Sequence, residues 1–278
     1  MRIAFVSDLH TDINAAYPVL ETVADRAAQL QADALVVAGD ICENPTEVIR
    51  QMHVLDGLFA GIVRYVPGNH DLWNKHCPAR DIVSIFDDYK KDPLCLNHEG
   101  AGCLGKDGLA LVGDVGWYDY SFASAGFDED ALDGMSIGGR TWQDKLFNAW
   151  TRNNKAAMAR SLERLQVQLE KASKASPEPK IIAVTHMLPV PDFLVPPEQG
   201  RWGFFNAFLG SSAIERLYMK YPVRFAVCGH VHYRMQVIRD GIRHICPCLG
   251  YESEWPLYHL ADEDIKTQVA DAMQFIDV

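Results

Sequence analysis

The chain has 278 residues, 48% of them hydrophobic and 23% charged, so it can bury a large core, and wholesale disorder is excluded. Its formal net charge of −11 argues against non-specific binding to nucleic acids or anionic membranes, because that binding depends on neutralising phosphates with lysine and arginine. The seven cysteines form no paired CxxC motif, and no apolar run reaches the length of a membrane span. Since the first predicted strand begins at Arg2, without room for a signal peptide, we expect a cytoplasmic protein with reduced thiols.

Three short apolar runs in the first quarter of the chain predict buried β-strands, at residues 2–7, 34–38 and 62–66. Helical patterns lie between them, at about 15–30 and from Pro45 onward. This alternation is typical of βαβ units and a largely parallel sheet. In such sheets the binding crevice lies at the carboxyl ends of the strands.

Each of these strands is followed by polar side chains. The clusters are Asp8-Leu9-His10, then Gly39-Asp40-Ile41-Cys42-Glu43, then Gly68-Asn69-His70-Asp71. Side chains two residues apart in an extended chain project to the same side, so Asp8 and His10 can reach a common point. A single cluster of this kind is usually a polar turn, but three at one edge of a sheet predict a site.

The middle of the chain is predicted to hold a helix near 79–89 and short strands near 94–96 and 109–112 that belong to a second sheet. A Gly-, Ser- and Asp-rich stretch follows at 121–140, and the longest helical pattern runs over 141–173, where Asp144 near its start suits the helix dipole. We expect one domain over residues 1–278, with a flap or cap at about 114–175 and a specificity loop at about 187–209.

Two further apolar runs, 180–185 and 223–228, end in histidines: His186 after the first, and Gly229-His230-Val231-His232 after the second. Asp240-Gly241 then predicts a β-hairpin. Five strands therefore end in imidazole, carboxylate or amide groups. This ligand chemistry suits borderline metals such as Mn, Fe, Zn or Co, and the absence of a cysteine pair at the strand ends argues against a thiolate site.

The ordered set of motifs resembles the calcineurin-like metallophosphoesterases, whose signature runs Asp-x-His, Gly-Asp-x-x-Asp, Gly-Asn-His-Asp/Glu, a lone His, then Gly-His-x-His. The match extends from Asp8 to His232. The resemblance implies an α/β fold, a four-layer αββα sandwich of two mixed β-sheets flanked by helices, with the site at the sheet edges. It also implies a centre with two divalent or trivalent metal ions, drawn from Mn, Fe, Zn, Ni and Co, with Mn and Fe favoured.

Carried over residue by residue, the resemblance implies three ligands for each metal and one bridge. The first metal is assigned Asp8, His10 and His232, the second Asn69, His186 and His230, and Asp40 is the bridge. Two cations about 4 Å apart would generate a bridging hydroxide that attacks phosphorus in line. His70 would protonate the leaving alkoxide or stabilise the transition state. Glu43 would orient its ring, with Asp71 as the alternative partner.

The substrate is less well defined by the sequence. Asn44 stands where the phosphoprotein-phosphatase branch of the family has a phosphate-gripping arginine, which favours small phosphoesters, diesters slightly over monoesters. Candidate substrate contacts are Asn69, Trp117, Tyr118, Trp202 and Phe205, whose aromatic members can stack on a base or cover an apolar group. Two alternatives are a nuclease of the same superfamily, which the charge of −11 disfavours, and a non-catalytic metal-binding module. Residues 248–255 are unusual enough to border the site, but no role is assigned to them.

Overall fold

The computed structural model describes residues 1–102, 109–260 and 264–278. The strands within these residues are β1 (Arg2–Val6), β2 (Ala34–Ala38), β3 (Ile62–Val66), β4 (Leu109–Asp114), β5 (Ser136–Ile137), β6 (Arg140–Thr141), β7 (Lys180–Thr185), β8 (Val223–Val227), β9 (Arg234–Arg239), β10 (Ile242–Pro247) and β11 (Gln274–Asp277). The helices are α1 (Val19–Gln29), α2 (Pro45–Leu58), α3 (Ile82–Lys91), α4 (Glu129–Asp133), α5 (Asp144–Phe147), α6 (Asn154–Lys174), α7 (Trp202–Phe205), α8 (Ser212–Tyr218) and α9 (Ile265–Ala272). None of the helices in the described residues has the length and apolar character that a membrane span requires.

Two mixed β-sheets form the centre of the fold. The first has the order β11-β1-β2-β3, with β1, β2 and β3 parallel and β11 antiparallel at one edge. The second has the order β4-β7-β8-β10-β9, with β9 as its antiparallel edge strand. The β9–β10 hairpin turns at Asp240-Gly241, as the sequence predicts.

The sheets pack face to face, and helices cover their outer faces. The side chains of β1 alternate between two cores. Ile3 and Phe5 belong to the core between the sheets, together with Leu111 and Val184, whereas Ala4 and Val6 belong to the core under the helices. Helices α1 and α2 pack together and α2 contacts β3, while α6 packs on β4 and β7. The predicted four-layer αββα sandwich is confirmed.

Asn44 begins α2. Its side chain accepts a hydrogen bond from the backbone N–H of Thr46, and Pro45 occupies the first helical turn, where its missing N–H costs nothing. The residue that departs from the phosphoprotein-phosphatase pattern is therefore a helix cap in this chain.

The prediction of one helix over 141–173 is wrong. The segment divides into α5, a short 3₁₀ helix at Ala149–Asn153 and α6. The division occurs because the side chains of Asn148 and Asn153 accept hydrogen bonds from the backbone N–H groups of Trp150 and Ala156, which starts a new helix each time. The Gly-, Ser- and Asp-rich stretch at 121–140, within the flap or cap predicted at about 114–175, contains α4 and most of the β5–β6 hairpin.

The strand predicted at 94–96 is also corrected. This segment makes a single parallel bridge, from Cys95 to Tyr65 at the edge of β3, so it adjoins the first sheet and not the second. Cys103, one of the seven cysteines, lies outside the described residues, whereas the other six are free thiols.

Candidate metal centre

The loops that follow β1, β2, β3, β7 and β8 meet at one edge of the two sheets. These loops bring the seven predicted ligands close to one another. Together with His70, the His and Asp members form three groups in which the ligand atoms lie within 4.8 Å of one another: Asp8 with His10 and His232, His10 with Asp40 and His70, and Asp40 with His186 and His230. The first and third groups correspond to the two predicted metal sites, and Asp40 lies between them.

Asn69 joins the second site. Its Oδ1 lies 3.1 Å from His186 Nε2, which is itself 3.3 Å from an oxygen of Asp40. Asn69 is almost fully buried, so its amide can be held in one orientation by its neighbours.

The backbone of these loops is strained where the ligands occur. Asp8, His10, Asp40, His230 and His232 all have φ between 41° and 75°, a region that non-glycine residues rarely occupy. Such strain persists only when the surrounding structure fixes the conformation, and it is common at functional sites.

A close approach of the backbone explains Gly68. A Cβ atom at this position would lie 2.0 Å from Asp40 Oδ1, so any other residue would displace the central carboxylate. Gly39, with φ of +88°, would direct a Cβ to 2.6 Å from His186 Nδ1. The motif glycines therefore leave room for the ligands.

Three of the imidazoles use one ring nitrogen for a protein contact and turn the other toward the cluster. His186 Nδ1 lies 2.9 Å from the Ala38 carbonyl, His230 Nε2 lies 3.3 Å from the Phe208 carbonyl, and His232 Nδ1 lies 2.6 Å from Glu254 Oε2. A partner on one nitrogen fixes the ring and leaves the other nitrogen as a metal donor.

Burial keeps the rings of His10, His70 and His230 uncharged. Burial and neighbouring imidazoles lower the pKa of His10 and His70, and burial lowers the pKa of His230 to about 3, so these rings are neutral near pH 7, the form in which imidazole binds a metal. Burial alone would raise the pKa of Asp8, but the hydrogen bond and charge of His232 and the charge of His186 lower it overall.

Burial alone would also lower the pKa of the other two rings, but Asp40 raises that of His186 to about 9, and Asp8 and Glu254 raise that of His232 above its usual value. A metal ion would displace the protons of these two rings, and the buried carboxylates and imidazoles then fit a pair of divalent cations.

His70 lies at the mouth of this cluster. Its Nδ1 is 3.8 Å from Glu43 Oε1, and its Nε2 is 4.0 Å from Asp40 Oδ2. Asp71, the alternative partner, faces away, because its carboxylate accepts hydrogen bonds from the backbone N–H groups of Ile41, Cys42 and Gly68. Glu43 is thus the carboxylate nearer to the His70 ring, and Asp71 fixes the loop after β2.

A pocket of about 430 Å³ opens over the cluster. One side is polar and the other apolar. The lining residues are Asp40, Asn69, His70, Trp73, Trp142, Gln143, Asp144, Val195, Trp202, Leu209, His230, Val231, His232, Tyr233, Tyr251 and Glu254.

Four of the five predicted substrate contacts separate into two classes by exposure. Trp202 lines the pocket and is partly exposed. Trp117 and Tyr118 are fully buried and stack on each other inside the protein, so the prediction that they contact substrate is corrected. Phe205 is also buried and packs against Phe208. These rings pack inside the protein, where Tyr118 donates a hydrogen bond to Asp144 of the pocket lining.

The pocket residues that the sequence analysis did not assign to the site include Trp73, Trp142, Asp144, Tyr251 and Glu254. Tyr251 packs against the rings of His10 and His232, and Glu254 accepts the His232 hydrogen bond. Their segment, 248–255, drew attention in the sequence, but nothing there indicates which histidine a glutamate would reach. Asp144 suited a helix start, and its other contacts depend on the tertiary fold.

The sequence profile of the calcineurin-like phosphoesterases matches residues 1–234, which is most of the chain. The chain belongs to this family. It is therefore a metal-dependent phosphohydrolase, and the fold and the grouping of His and Asp side chains agree with that assignment.

Individual members of the family show how far the likeness extends. The [acyl-carrier-protein] phosphodiesterase PptH of Mycobacterium tuberculosis is 27% identical over 276 residues, which cover 90% of this chain and 78% of the relative. The crystal structure of phosphopantetheinyl hydrolase (PptH) from the same organism superposes with a TM-score of 0.73 at 21% identity, covering 94% of this chain and 93% of that one. The crystal structure of TT1561 from Thermus thermophilus gives a TM-score of 0.51 at 13% identity, covering 99% and 98% of the two chains. At these identities the two structures establish a shared fold.

Proposed function

We propose that this phosphoesterase hydrolyses phosphodiesters at a dinuclear metal centre. The observation that carries the proposal is the position of Asp40, whose Oδ2 lies 3.7 Å from His10 Nε2 of the first proposed site and 3.3 Å from His186 Nε2 of the second, with the His70 ring beside it. A shared carboxylate between two sets of imidazoles is the arrangement that two adjacent cations need.

Seven side chains would hold the two ions. Asp8, His10 and His232 would bind the first, Asn69, His186 and His230 the second, and Asp40 both. When bound, the ions supply Lewis acidity, which neutralises charge on the phosphoryl oxygens and lowers the pKa of coordinated water. Mn and Fe are the favoured metals of this proposal, since imidazole and carboxylate ligands suit them.

The protein's own contribution to the reaction is the placement of His70. Its ring stacks on Trp73 with centroids 3.8 Å apart, Glu43 lies on its Nδ1 side, and its side chain is 15% exposed at the pocket. A ring held in this way can donate a hydrogen bond from Nε2 to the departing oxygen of a substrate in the pocket. A diester releases an alkoxide that benefits from this assistance, and a monoester can use the same group, so His70 favours a diester substrate only slightly.

The apolar side of the pocket supports a substrate with an extended neutral arm. The apolar lining of the pocket, which we call its apolar wall, includes Trp142, Val195, Trp202, Leu209 and Val231, and Trp142 lies beside His230 of the second proposed site. A phosphopantetheine arm, in diester linkage to a carrier-protein serine, has a phosphate at one end and a long, uncharged chain that this wall would accommodate. The named activity of PptH, an acyl-carrier-protein phosphodiesterase, favours the same substrate class. A small phosphoester is the alternative substrate.

Hydrolysis of three substrates in parallel tests the proposal. Manganese-loaded protein would be given a phosphopantetheinylated carrier protein, bis-p-nitrophenyl phosphate and p-nitrophenyl phosphate. We expect release of phosphopantetheine, seen as a mass loss of the carrier protein, and faster turnover of the diester dye than of the monoester. Faster turnover of the monoester would contradict the diesterase assignment, and diester turnover without carrier-protein cleavage would favour a small substrate.

A cytoplasmic location is a further part of the proposal. The six described cysteines are free thiols, which is the state that a reducing compartment maintains. Intact disulfides in protein isolated without reductant would count against it.

A further inference from the structure

Asp144 is a fully buried carboxylate that lies behind the metal centre, at the start of α5. It accepts four hydrogen bonds. Asn69 Nδ2 and Trp73 Nε1 donate to Oδ1 at 2.9 and 2.6 Å, and Tyr118 Oη and Trp142 Nε1 donate to Oδ2 at 3.1 and 3.0 Å. In the described part of the chain, no lysine or arginine nitrogen lies within 4.0 Å of it. A buried carboxylate without a cation is costly, and here only neutral donors offset that cost.

We propose that Asp144 is a positioning residue of the phosphoesterase reaction, which orients the amide of Asn69 and, through Trp73, the ring of His70. The proposal rests on the metal-dependent function proposed above. It concerns a residue of the segment between the two halves of the ligand set, outside the motifs of the family.

Asp144 orients the side-chain amide of Asn69. An indole N–H can only donate, so the carboxylate oxygen that faces Trp73 must accept, and the same oxygen can then accept only from the NH₂ end of Asn69. This leaves Asn69 Oδ1 toward His186 and the second metal site. Without an acceptor at position 144, the amide can rotate by half a turn and present its NH₂ group, which does not bind a metal.

Asp144 also acts on His70, through Trp73. Trp73 donates to the same Oδ1 and stacks on the His70 ring, with 26° between the ring planes. The hydrogen bond fixes the plane of the indole, and the stacking fixes the plane of the imidazole against it. One carboxylate oxygen therefore holds both the amide ligand and the support of the catalytic ring.

The other oxygen of Asp144 holds the carboxylate in place. Oδ2 accepts hydrogen bonds from Tyr118, in the loop after β4, and from Trp142. The Trp142 ring lies beside the His230 ring, with the centroids 5.8 Å apart. These contacts anchor Asp144 to the loop after β4 and to Trp142, and they give Oδ1 a fixed direction. Asp144 is thus fixed through Oδ2 and contacts Asn69 and Trp73 through Oδ1. This is the geometry that a positioning residue requires.

The test compares Asp144→Asn with a matched control, Asp114→Asn. Asp114 is also a fully buried carboxylate, with donors Asn97, Ser161 and Arg164, but it contacts no predicted ligand. Free Mn²⁺ would be measured by electron paramagnetic resonance during titration of each protein, together with thermal unfolding and kcat and KM on bis-p-nitrophenyl phosphate.

For Asp144→Asn we expect one of two Mn²⁺ sites to weaken by about 10- to 100-fold and kcat to fall more than KM rises. Asp114→Asn should lower the unfolding temperature without changing either Mn²⁺ affinity. If both variants lose only thermal stability, Asp144 is a structural residue and the proposal is wrong. The Mn²⁺ titration does not depend on turnover, so it also gives an answer if the proposed substrate fails.

A second variant tests the His70 branch even if Asp144→Asn does not fold. Trp73→Phe removes the indole N–H but keeps a ring beside His70. We expect a lower kcat with both Mn²⁺ affinities retained, because Asn69 still has its acceptor. An unchanged kcat would overturn the link from Asp144 to His70.

Discussion

The two walls of the pocket are held in different ways. On the motif wall, which we define as the loops 8–10, 39–43 and 68–71, the ligands are fixed by backbone geometry within a few residues of each strand end. On the inserted wall, which we define as residues 142–144 and 195–209, the pocket residues are fixed by side-chain hydrogen bonds and ring packing across the fold. The first wall contains the motifs of the family, whereas the second lies outside those motifs.

The difference indicates which wall should determine which property. Metal binding and the reaction itself should depend on the motif wall, and substrate choice should depend on the inserted wall. Asp144 is the contact at which the two walls are joined. Substitutions on each wall should therefore give distinguishable losses.

The largest loss is expected from Asp40→Asn. This change removes the carboxylate that lies between the two proposed metal sites, close to His10 on one side and to His186 on the other, so we expect turnover at the level of the background reaction. The loss should be accompanied by weaker binding of both metal ions, measured as ions retained per chain after dialysis. Full activity with two retained ions would contradict the bridging role.

His70→Ala should reduce kcat by about 10²- to 10⁴-fold, because the hydrogen bond to the departing oxygen is lost. His70 is not a predicted ligand, so the metal content should not change. His76→Ala is the matched control, since His76 approaches Glu43 from the opposite side with its side chain 48% exposed. Equal losses in the two variants would contradict the role of His70.

Glu254→Gln should weaken one metal site by about 10-fold, the lower end of the effect of removing a partner of a metal-binding histidine. The neutral amide keeps an acceptor near His232 Nδ1 but removes the charge that holds the ring. Glu252→Gln, an exposed change two residues away, should leave metal affinity as it is. A calorimetric titration with Mn²⁺ compares the two variants.

Trp202→Ala should have the smallest effect, confined to one class of substrate. We expect KM for a phosphopantetheinylated carrier protein to rise by about 10-fold, which is typical of a lost apolar contact, while kcat on bis-p-nitrophenyl phosphate stays the same. An equal change on both substrates would show that the inserted wall does not select the substrate.

The motif wall could be predicted from the sequence because its geometry is local. A strand followed by Gly-Asp or Gly-Asn-His-Asp places the polar groups within one or two residues of a fixed point, and parallel strands bring those points to the same edge. Periodicity predicted the βαβ units and the parallel strands, whereas the αββα layering of two mixed sheets was implied by the family resemblance.

The inserted wall and the contact of Glu254 could not be predicted because they depend on parts of the chain that are distant in sequence. Asp144 and Asn69 are 75 residues apart, and Glu254 reaches His232 from a short 3₁₀ helix, Glu252–Tyr258. Trp117 and Tyr118 resembled pocket residues in the sequence but are buried, since composition does not distinguish a ring over a pocket from one beneath it.

Measuring bound metal ions and turnover in the same titration tests the dinuclear mechanism most directly. Metal-stripped protein would be titrated with Mn²⁺, and both the ions bound per chain and the hydrolysis of bis-p-nitrophenyl phosphate would be followed at each addition. We predict two ions per chain and turnover that appears with the second ion. Full turnover in the stripped protein, or a maximum of one bound ion in the active protein, would contradict a dinuclear phosphodiesterase.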